Sequence, residues 1–107
     1  MVKKKQATRP EKEPELLQKI KDAINLGNFR DVTHASERAS EREITRPEYL
    51  YVLKTGRHEK KKDEFKEEYN TWNYAIRGNT IDEKELRVIV SFDENNMLII
   101  TLIALEL

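Results

Sequence analysis

Residues 86–105, LRVIVSFDENNMLIITLIAL, decide the fold of this chain. Every second residue from Leu86 to Phe92 is apolar, which predicts a strand with one buried face. Residues 93–96 are turn formers, and 97–105 are apolar with an interruption at Thr101. We therefore predict a β-hairpin. Because its second strand is apolar on both faces, we expect that strand to be central and covered on each side.

A third strand is predicted at 72–78, WNYAIRG. Its period-two spacing puts Trp72, Tyr74 and Ile76 on one face, which we interpret as core, although aromatic rings on a sheet also stack nucleobases. Arg77 points away from that apolar set, and Arg87 lies on the next strand. Because a guanidinium binds phosphate through two parallel hydrogen bonds, both arginines are candidate phosphate contacts.

The first half of the chain predicts helices preceded by a tail. Residues 1–13 lack apolar periodicity and are rich in Lys, Glu and Pro, so we expect a disordered tail and a single folded domain at 14–107. Apolar residues then recur at helical spacing, and we predict a first helix over 14–26, ended by Gly27. The segment 29–33 is interpreted as a short connection or strand.

Two shorter helices follow. We predict one at 34–43 with Thr33 as its N-cap, and another after Thr45 with Pro47 in its first turn. Gly56 ends that helix and is expected in the left-handed cap conformation. The fold class is therefore α+β, with N-terminal helices packed on one face of a C-terminal antiparallel sheet of three to four strands.

Composition limits the chemistry of the chain. Its 107 residues suit one domain with one core, and the lack of cysteine excludes disulfides and cysteine nucleophiles. The sequence has no Gly-rich phosphate loop and no metal-binding motif, so we expect neither a cofactor nor a metal. Its longest apolar stretch is too short to span a bilayer. We therefore expect a cytoplasmic protein without membrane contact.

Charged residues make up 37% of the chain and sum to a net charge of zero. A neutral total is not typical of a nucleic-acid binder, but a local basic face still attracts polyanions. In the Lys- and Glu-rich segment 57–69, Lys60 and Lys61 are candidate contacts to a phosphate backbone. The acidic residues around them favour a solvated charged loop instead. The secondary structure of this segment stays open between an edge strand, a loop and a weak helix.

The segment with the most chemical information is 34–44, HASERASEREI. On a helix, His34, Arg38 and Arg42 form one stripe because they are spaced four residues apart. An imidazole moves protons near neutral pH, and guanidiniums stabilise the charge that grows at a phosphate in the transition state. The three are therefore candidate catalytic residues for phosphodiester cleavage. The alternative is a solvated surface on which glutamates of the same helix pair with the arginines.

The same segment, written H-A-x-E-R-x-x-E-R-x-I, resembles the signature of domain-of-unknown-function family 4258. The later elements agree in order, so the resemblance covers about 29–105: a Pro-containing helix ending in Gly, a variable charged stretch and Val-Ile-rich strands. That family is similar to the RelE-like and BrnT-like ribonuclease toxins, which implies a RelE/barnase-like fold and RNA cleavage or a ribosome-associated role. His34, Arg38 and Arg42 match the motif itself.

Two functions follow as expectations. The first is a metal-independent ribonuclease of the toxin type, with an antitoxin as its protein partner. His34 is then the general acid or base, Arg38 and Arg42 complete the catalytic set, and the RNA contacts come from Arg77, Arg87, Lys60 and Lys61. The second is a non-catalytic module of the same fold that binds a protein partner through its helical face or a sheet edge. A homodimer fits the composition equally well.

Overall fold

The computed structural model describes residues 9–105, which form three α-helices and a six-stranded mixed sheet. The helices are α1 (Leu16–Leu26), α2 (Thr33–Glu41) and α3 (Arg46–Thr55). The strands are β1 (Phe29–Asp31), β2 (Arg57–His58), β3 (Glu64–Lys66), β4 (Thr71–Asn79), β5 (Glu85–Phe92) and β6 (Met97–Ala104), with a 3₁₀ turn at Lys60–Lys62. The α+β class is confirmed, whereas the expected three to four strands were too few.

The sheet is built around the predicted hairpin of β5 and β6. Its strand order is β1-β6-β5-β4-β2, and β3 pairs with the other end of β4. The expectation of a purely antiparallel sheet is wrong at one edge, because β1 runs parallel to β6 with Phe29 opposite Met97. Parallel strands need a long crossover connection, and the whole chain between β1 and β6 supplies it.

One face of the sheet, called the covered face, carries the core. Eight of its side chains are at most 4% exposed: Tyr74, Ile76, Leu86, Val88, Val90, Met97, Ile99 and Leu102. The helices cover this face with Leu16 and Ile20 of α1, Ala35 and Ala39 of α2, and Tyr49, Val52 and Leu53 of α3. Trp72 packs half-buried against the same cluster, so the apolar face of the third strand is core, as predicted.

Local sequence explains how two of the helices begin or end. Gly27 closes α1 with a φ of 75°, a left-handed conformation that glycine adopts without strain, and this confirms the predicted stop. Thr45 caps α3 in a capping box: the N–H of Glu48 donates to Thr45 Oγ1 at 3.3 Å, and the N–H of Thr45 donates to the Glu48 carboxylate at 2.7 Å. Pro47 lies in the first turn, as expected.

Two predicted helix bounds differ from the structure, since α1 begins at Leu16 rather than at 14 and α2 ends at Glu41 rather than at 43. Two predicted caps are also wrong. The N-cap of α2 is Val32, because Thr33 already lies in the helix. Gly56 has an extended backbone, with φ −79° and ψ −177°, because the chain leaves α3 directly into β2. Glycine is needed there for space: a Cβ on Gly56 would lie 2.6 Å from the carbonyl oxygens of both Val52 and Arg77.

The opposite face of the sheet is called the open face. The helices do not cover it, because their buried residues pack into the core on the covered face. The open face is formed by Asn73, Ala75 and Arg77 of β4, Arg87, Ile89 and Ser91 of β5, and Leu98, Ile100, Thr101 and Ile103 of β6. The expectation that β6 is covered on each side is therefore wrong, since Ile103 is 39% exposed. A bulge beside Ile89 and Val90 gives β6 the extra residue Ile100.

Residues 9–13, part of the predicted tail, lie against the sheet. The indole N–H of Trp72 donates to the carbonyl of Pro10 at 2.8 Å, and the N–H of Glu13 donates to the Tyr74 hydroxyl at 3.0 Å. The Arg9 guanidinium lies 4.9 Å from the centre of the Phe65 ring, within the range of a cation–π contact. Residues 1–8 and 106–107 lie outside the described residues.

Candidate functional site

Four charged side chains meet at the open face in a cluster called the arginine–glutamate network: Glu59, Arg77, Glu85 and Arg87. The carboxylate of Glu59 accepts hydrogen bonds from Arg87 Nε at 2.6 Å, from Arg87 Nη2 at 3.2 Å and from Arg77 Nη1 at 3.1 Å. Arg77 Nε donates to the Glu85 carboxylate at 2.8 Å. Two guanidiniums therefore converge on one carboxylate.

Strand alternation brings these residues together. Arg77 of β4 lies opposite Arg87 of β5, and their chain neighbours Ile76 and Val88 point into the core. Side chains alternate between the two faces of a strand, so both guanidiniums must project from the open face. Glu59 is held beside them because its backbone N–H donates to the carbonyl of Ala75 at 2.8 Å, one residue beyond β2.

The network is ionised at neutral pH. Hydrogen bonds from Arg87, and then from Arg77, lower the pKa of Glu59 to about 2, although desolvation by burial acts in the opposite direction. Arg77 also lowers the pKa of Glu85, chiefly through its hydrogen bond to that carboxylate. The two guanidiniums and the two carboxylates together carry no net charge. Another anion therefore binds the arginines only if it displaces a carboxylate from them.

Two adjoining cavities lie on the open face. The Arg87 cavity has a volume of about 370 Å³ and is lined by Arg87, Lys62 and Ile103, among others. The Tyr69 cavity has a volume of about 610 Å³ and includes Tyr69 in its lining. They share Lys66, Asn73 and Ile100 in their linings, so they adjoin each other, and the two together are called the groove. Both volumes lie in the range of about 300–1,000 Å³ that is typical of small-molecule sites.

The predicted catalytic stripe lies on α2, with its last member at the helix end. His34, Arg38 and Arg42 are all exposed, Arg42 is the C-cap residue, and Arg38 Nη1 lies 3.5 Å from the Glu41 carboxylate. None of the three lines either cavity of the open face. The stripe and the network are therefore separate candidate sites, and the catalytic role of the stripe stays a prediction.

The predicted backbone contacts Lys60 and Lys61 are exposed on the 3₁₀ turn. Neither of them lines an open-face cavity, whereas their neighbour Lys62 does. By contrast, the structure brings the other two predicted RNA contacts, Arg77 and Arg87, into one network. Whether any of these four residues binds RNA stays a prediction.

His58 and Asp63 tie the same charged segment to the edge of β4. His58 Nε2 lies 2.7 Å from Asp63 Oδ2, and the N–H of Ala75 donates to Asp63 Oδ1 at 2.9 Å. The Asp63 side chain is fully buried and also pairs with Lys12 Nζ at 3.0 Å. Because every contact of this carboxylate holds chain segments together, its role is structural.

Sequence analysis missed Glu59 and Tyr69. In the sequence, Glu59 is one of several acidic residues around Lys60 and Lys61. The pairing of β2 with β4, which brings Glu59 to Arg77, is not visible there. The available signal was the opposition of Arg77 and Arg87 on neighbouring alternating strands. Two neighbouring guanidiniums on one sheet face repel each other unless a carboxylate lies between them. Glu59 directly follows the short edge strand β2.

These features define the protein as a small α+β domain with one sheet face that the helices do not cover and that carries the arginine–glutamate network. Its chain matches a family model, Domain of unknown function (DUF4258), over residues 33–104, and it therefore belongs to that family. The family predicted from the segment 34–44 is thus confirmed. Comparison with curated proteins and with solved structures gives no match.

Two further features of the described residues bear on function. None of the helices there is long and apolar enough to cross a membrane. Among residues 9–105, no group of three or more His, Asp or Glu side chains is placed to hold a metal ion.

Proposed function

We propose that this protein is a cytoplasmic, metal-independent ribonuclease of the toxin type with a RelE/barnase-like fold, and that the arginine–glutamate network is its phosphate site. The observation that carries this proposal is the convergence of Arg77 and Arg87 on Glu59, together with the place of Arg87 in the lining of a cavity. Guanidiniums bind phosphate oxygens and stabilise the charge that grows there during cleavage. A carboxylate between them is placed to accept a proton.

Substrate binding would change the state of Glu59. In the free protein, Arg87 and Arg77 hold its pKa at about 2, which makes it a weak base. A phosphodiester in the Arg87 cavity competes for the same N–H groups. As the guanidiniums turn towards the phosphate, Glu59 loses the hydrogen bonds that depress its pKa, and its basicity rises towards that of an ordinary glutamate.

The resulting step is an internal transesterification of RNA. Glu59 accepts the proton of a ribose 2′-hydroxyl, the 2′-oxygen bonds to phosphorus, and the bond from phosphorus to the 5′-oxygen breaks. The departing oxygen takes a proton from water, and Glu59 then gives its proton to the hydroxide that remains. The products are a 2′,3′-cyclic phosphate and a 5′-hydroxyl. Arg77 and Arg87 neutralise the charge that grows on the phosphate oxygens.

The test is cleavage of single-stranded RNA by the purified protein and by the Glu59→Gln variant. Loss of a general base typically lowers the rate by about 10²–10⁴-fold, so we expect at least a hundredfold loss from this variant. Glu94→Gln, an exposed change in the hairpin turn, is the matched control and should cleave like the wild type. A folded Glu59→Gln variant that cleaves at the wild-type rate would contradict the assignment.

The helix stripe is a second proposed location for the same activity. If His34 is the acid or base, His34→Ala abolishes both RNA cleavage and growth inhibition on induced expression, without unfolding the protein. If the network is the site, a folded His34→Ala variant keeps both activities and Glu59→Gln loses them. The two variants together therefore decide between α2 and the open face.

A non-catalytic module that binds an antitoxin or another protein is the second candidate function. The apolar residues Ile89, Ile100 and Ile103 favour it, because apolar surface left uncovered on a domain often marks a protein contact. In that case the arginine–glutamate network only stabilises the sheet. This function predicts that the pure protein cleaves no RNA at any concentration.

A further inference from the structure

We infer that the Tyr69 cavity is a nucleobase subsite, in which the Tyr69 ring stacks on a base of single-stranded RNA and the Asn73 amide reads the edge of that base. This inference rests on the proposed function, because the arginine–glutamate network supplies the phosphate contact of the same strand. It goes further by naming the part of the substrate that the larger cavity takes and the two residues that recognise it.

The Tyr69 ring is available for stacking. It is 73% exposed and borders the cavity. Its backbone is fixed by the turn before β4, where the N–H of Tyr69 donates to the carbonyl of Lys66 at 3.2 Å. Stacking on an aromatic ring tolerates every base, since all bases present a flat π-face.

The Asn73 amide is available for hydrogen bonding. Within the described residues its side chain makes no hydrogen bond, although it is half-buried and lines both cavities. An amide offers two donor hydrogens and an acceptor oxygen, which can pair with adjacent groups on a base edge. An apolar protein segment in this groove would leave that amide unpaired, at a cost in free energy. The groove therefore favours a base over an apolar partner.

The spacing along β4 links this subsite to the phosphate site. Asn73 is four residues from Arg77 on β4, and Arg87 lies opposite Arg77, so the two sites are about 13 Å apart along the strand. That distance exceeds the separation between a base and its own phosphate, so the arginines bind the phosphate of a neighbouring nucleotide of the same strand. Lys66 lines both cavities and Lys62 lines the Arg87 cavity, which provides positive charge along the path of the backbone.

The experiment measures binding of short, fluorescently labelled 2′-fluoro RNA strands, which lack the attacking hydroxyl and are not cleaved. Intact homopolymers are compared with a strand that carries a single abasic site. We expect Tyr69→Ala to bind the intact strands about tenfold more weakly and Tyr69→Phe to bind like the wild type, because stacking uses the ring. Tyr51→Ala, on an exposed ring of α3, is the matched control and should have no effect.

Asn73→Ala should reduce the differences in affinity among the four homopolymers. Neither Tyr69→Ala nor Asn73→Ala should change the salt dependence, since neither removes a phosphate contact. Arg87→Gln, in contrast, should reduce the slope of log K against log salt concentration by about one.

The possible failures are distinguishable. If Tyr69→Ala and the wild type bind intact and abasic strands equally, while Arg87→Gln still lowers the salt slope, the base subsite is wrong and the phosphate site stands. If the wild type binds no RNA, both proposals fail. A dimer in light scattering that Tyr69→Ala dissociates would then identify the groove as a protein contact.

Discussion

The two faces of the sheet formed by β4, β5 and β6 have opposite chemistry, although each strand contributes to both. On the covered face, Ile76 and Val88 are fully buried beneath the helices. Their chain neighbours Arg77 and Arg87 project from the open face. Both donate hydrogen bonds to Glu59, and Arg87 lines a cavity there. Because side chains along a strand point alternately to the two faces, one face can form the core while the other carries residues for binding.

The first prediction uses the same substitution on each face and has the largest expected effect. Ile76→Ala removes a fully buried side chain and should lower the free energy of unfolding by about 2–5 kcal/mol. Ile89→Ala on the neighbouring strand removes a half-buried one and should cost about 1 kcal/mol. Urea denaturation of both variants and the wild type measures the two losses.

Equal losses would break the comparison between the faces. They would mean that the open face is packed as tightly as the core in solution, as happens when a second copy of the chain covers it. Light scattering on the same samples then separates packing within the chain from self-association.

The second prediction concerns the place where α3 meets the sheet. Gly56→Ala should lower the free energy of unfolding by about 1–3 kcal/mol, because the new Cβ meets backbone carbonyl oxygens of Val52 and Arg77 at 2.6 Å. Gly27→Ala, at the end of α1, meets nothing within 4 Å and carries only the strain of its left-handed φ, about 1 kcal/mol.

Thermal unfolding of the two glycine variants provides the check. A larger loss at Gly27 than at Gly56 would contradict the close approach of α3 to β4. It would also weaken the argument that the covered face is the tightly packed one.

The sequence predicts those features of the fold that depend on residues close together in the chain. The hairpin of β5 and β6, the end of α1 at Gly27 and the outward direction of Arg77 all follow from spacing and turn chemistry. Prediction failed where distant segments pair: β1 joins β6 in parallel, and β2 brings Glu59 to the arginines. The apolar residue Ile100 was expected to be covered, because hydropathy does not tell a core face from an open groove.

The third prediction, with the smallest expected effect, tests the network through pH. Because Arg87 and Arg77 lower the pKa of Glu59 from 4.5 to about 2, its ionised form stabilises the folded state above pH 4.5. That contribution is lost as the pH falls through this window, because the unfolded chain binds a proton at Glu59 there and the folded protein does not. Glu59→Gln should therefore lose less stability between pH 4.5 and 2 than the wild type.

Urea midpoints at several pH values measure this difference, and added salt should reduce it because the network is partly exposed. Glu94→Gln, in the exposed hairpin turn, should follow the wild-type pH curve. If Glu59→Gln follows that curve as well, the carboxylate is not held by the arginines in solution.

The most direct test of the central claim, that the open face holds RNA, is a titration of the ¹⁵N-labelled protein with 2′-fluoro single-stranded RNA, followed by amide NMR shifts. We predict that the shifts concentrate at Glu59, Asn73, Arg87 and Ile100, around the two cavities, and that the amides of α2 stay unchanged. Shifts confined to α2, or none at saturating RNA, would contradict the account.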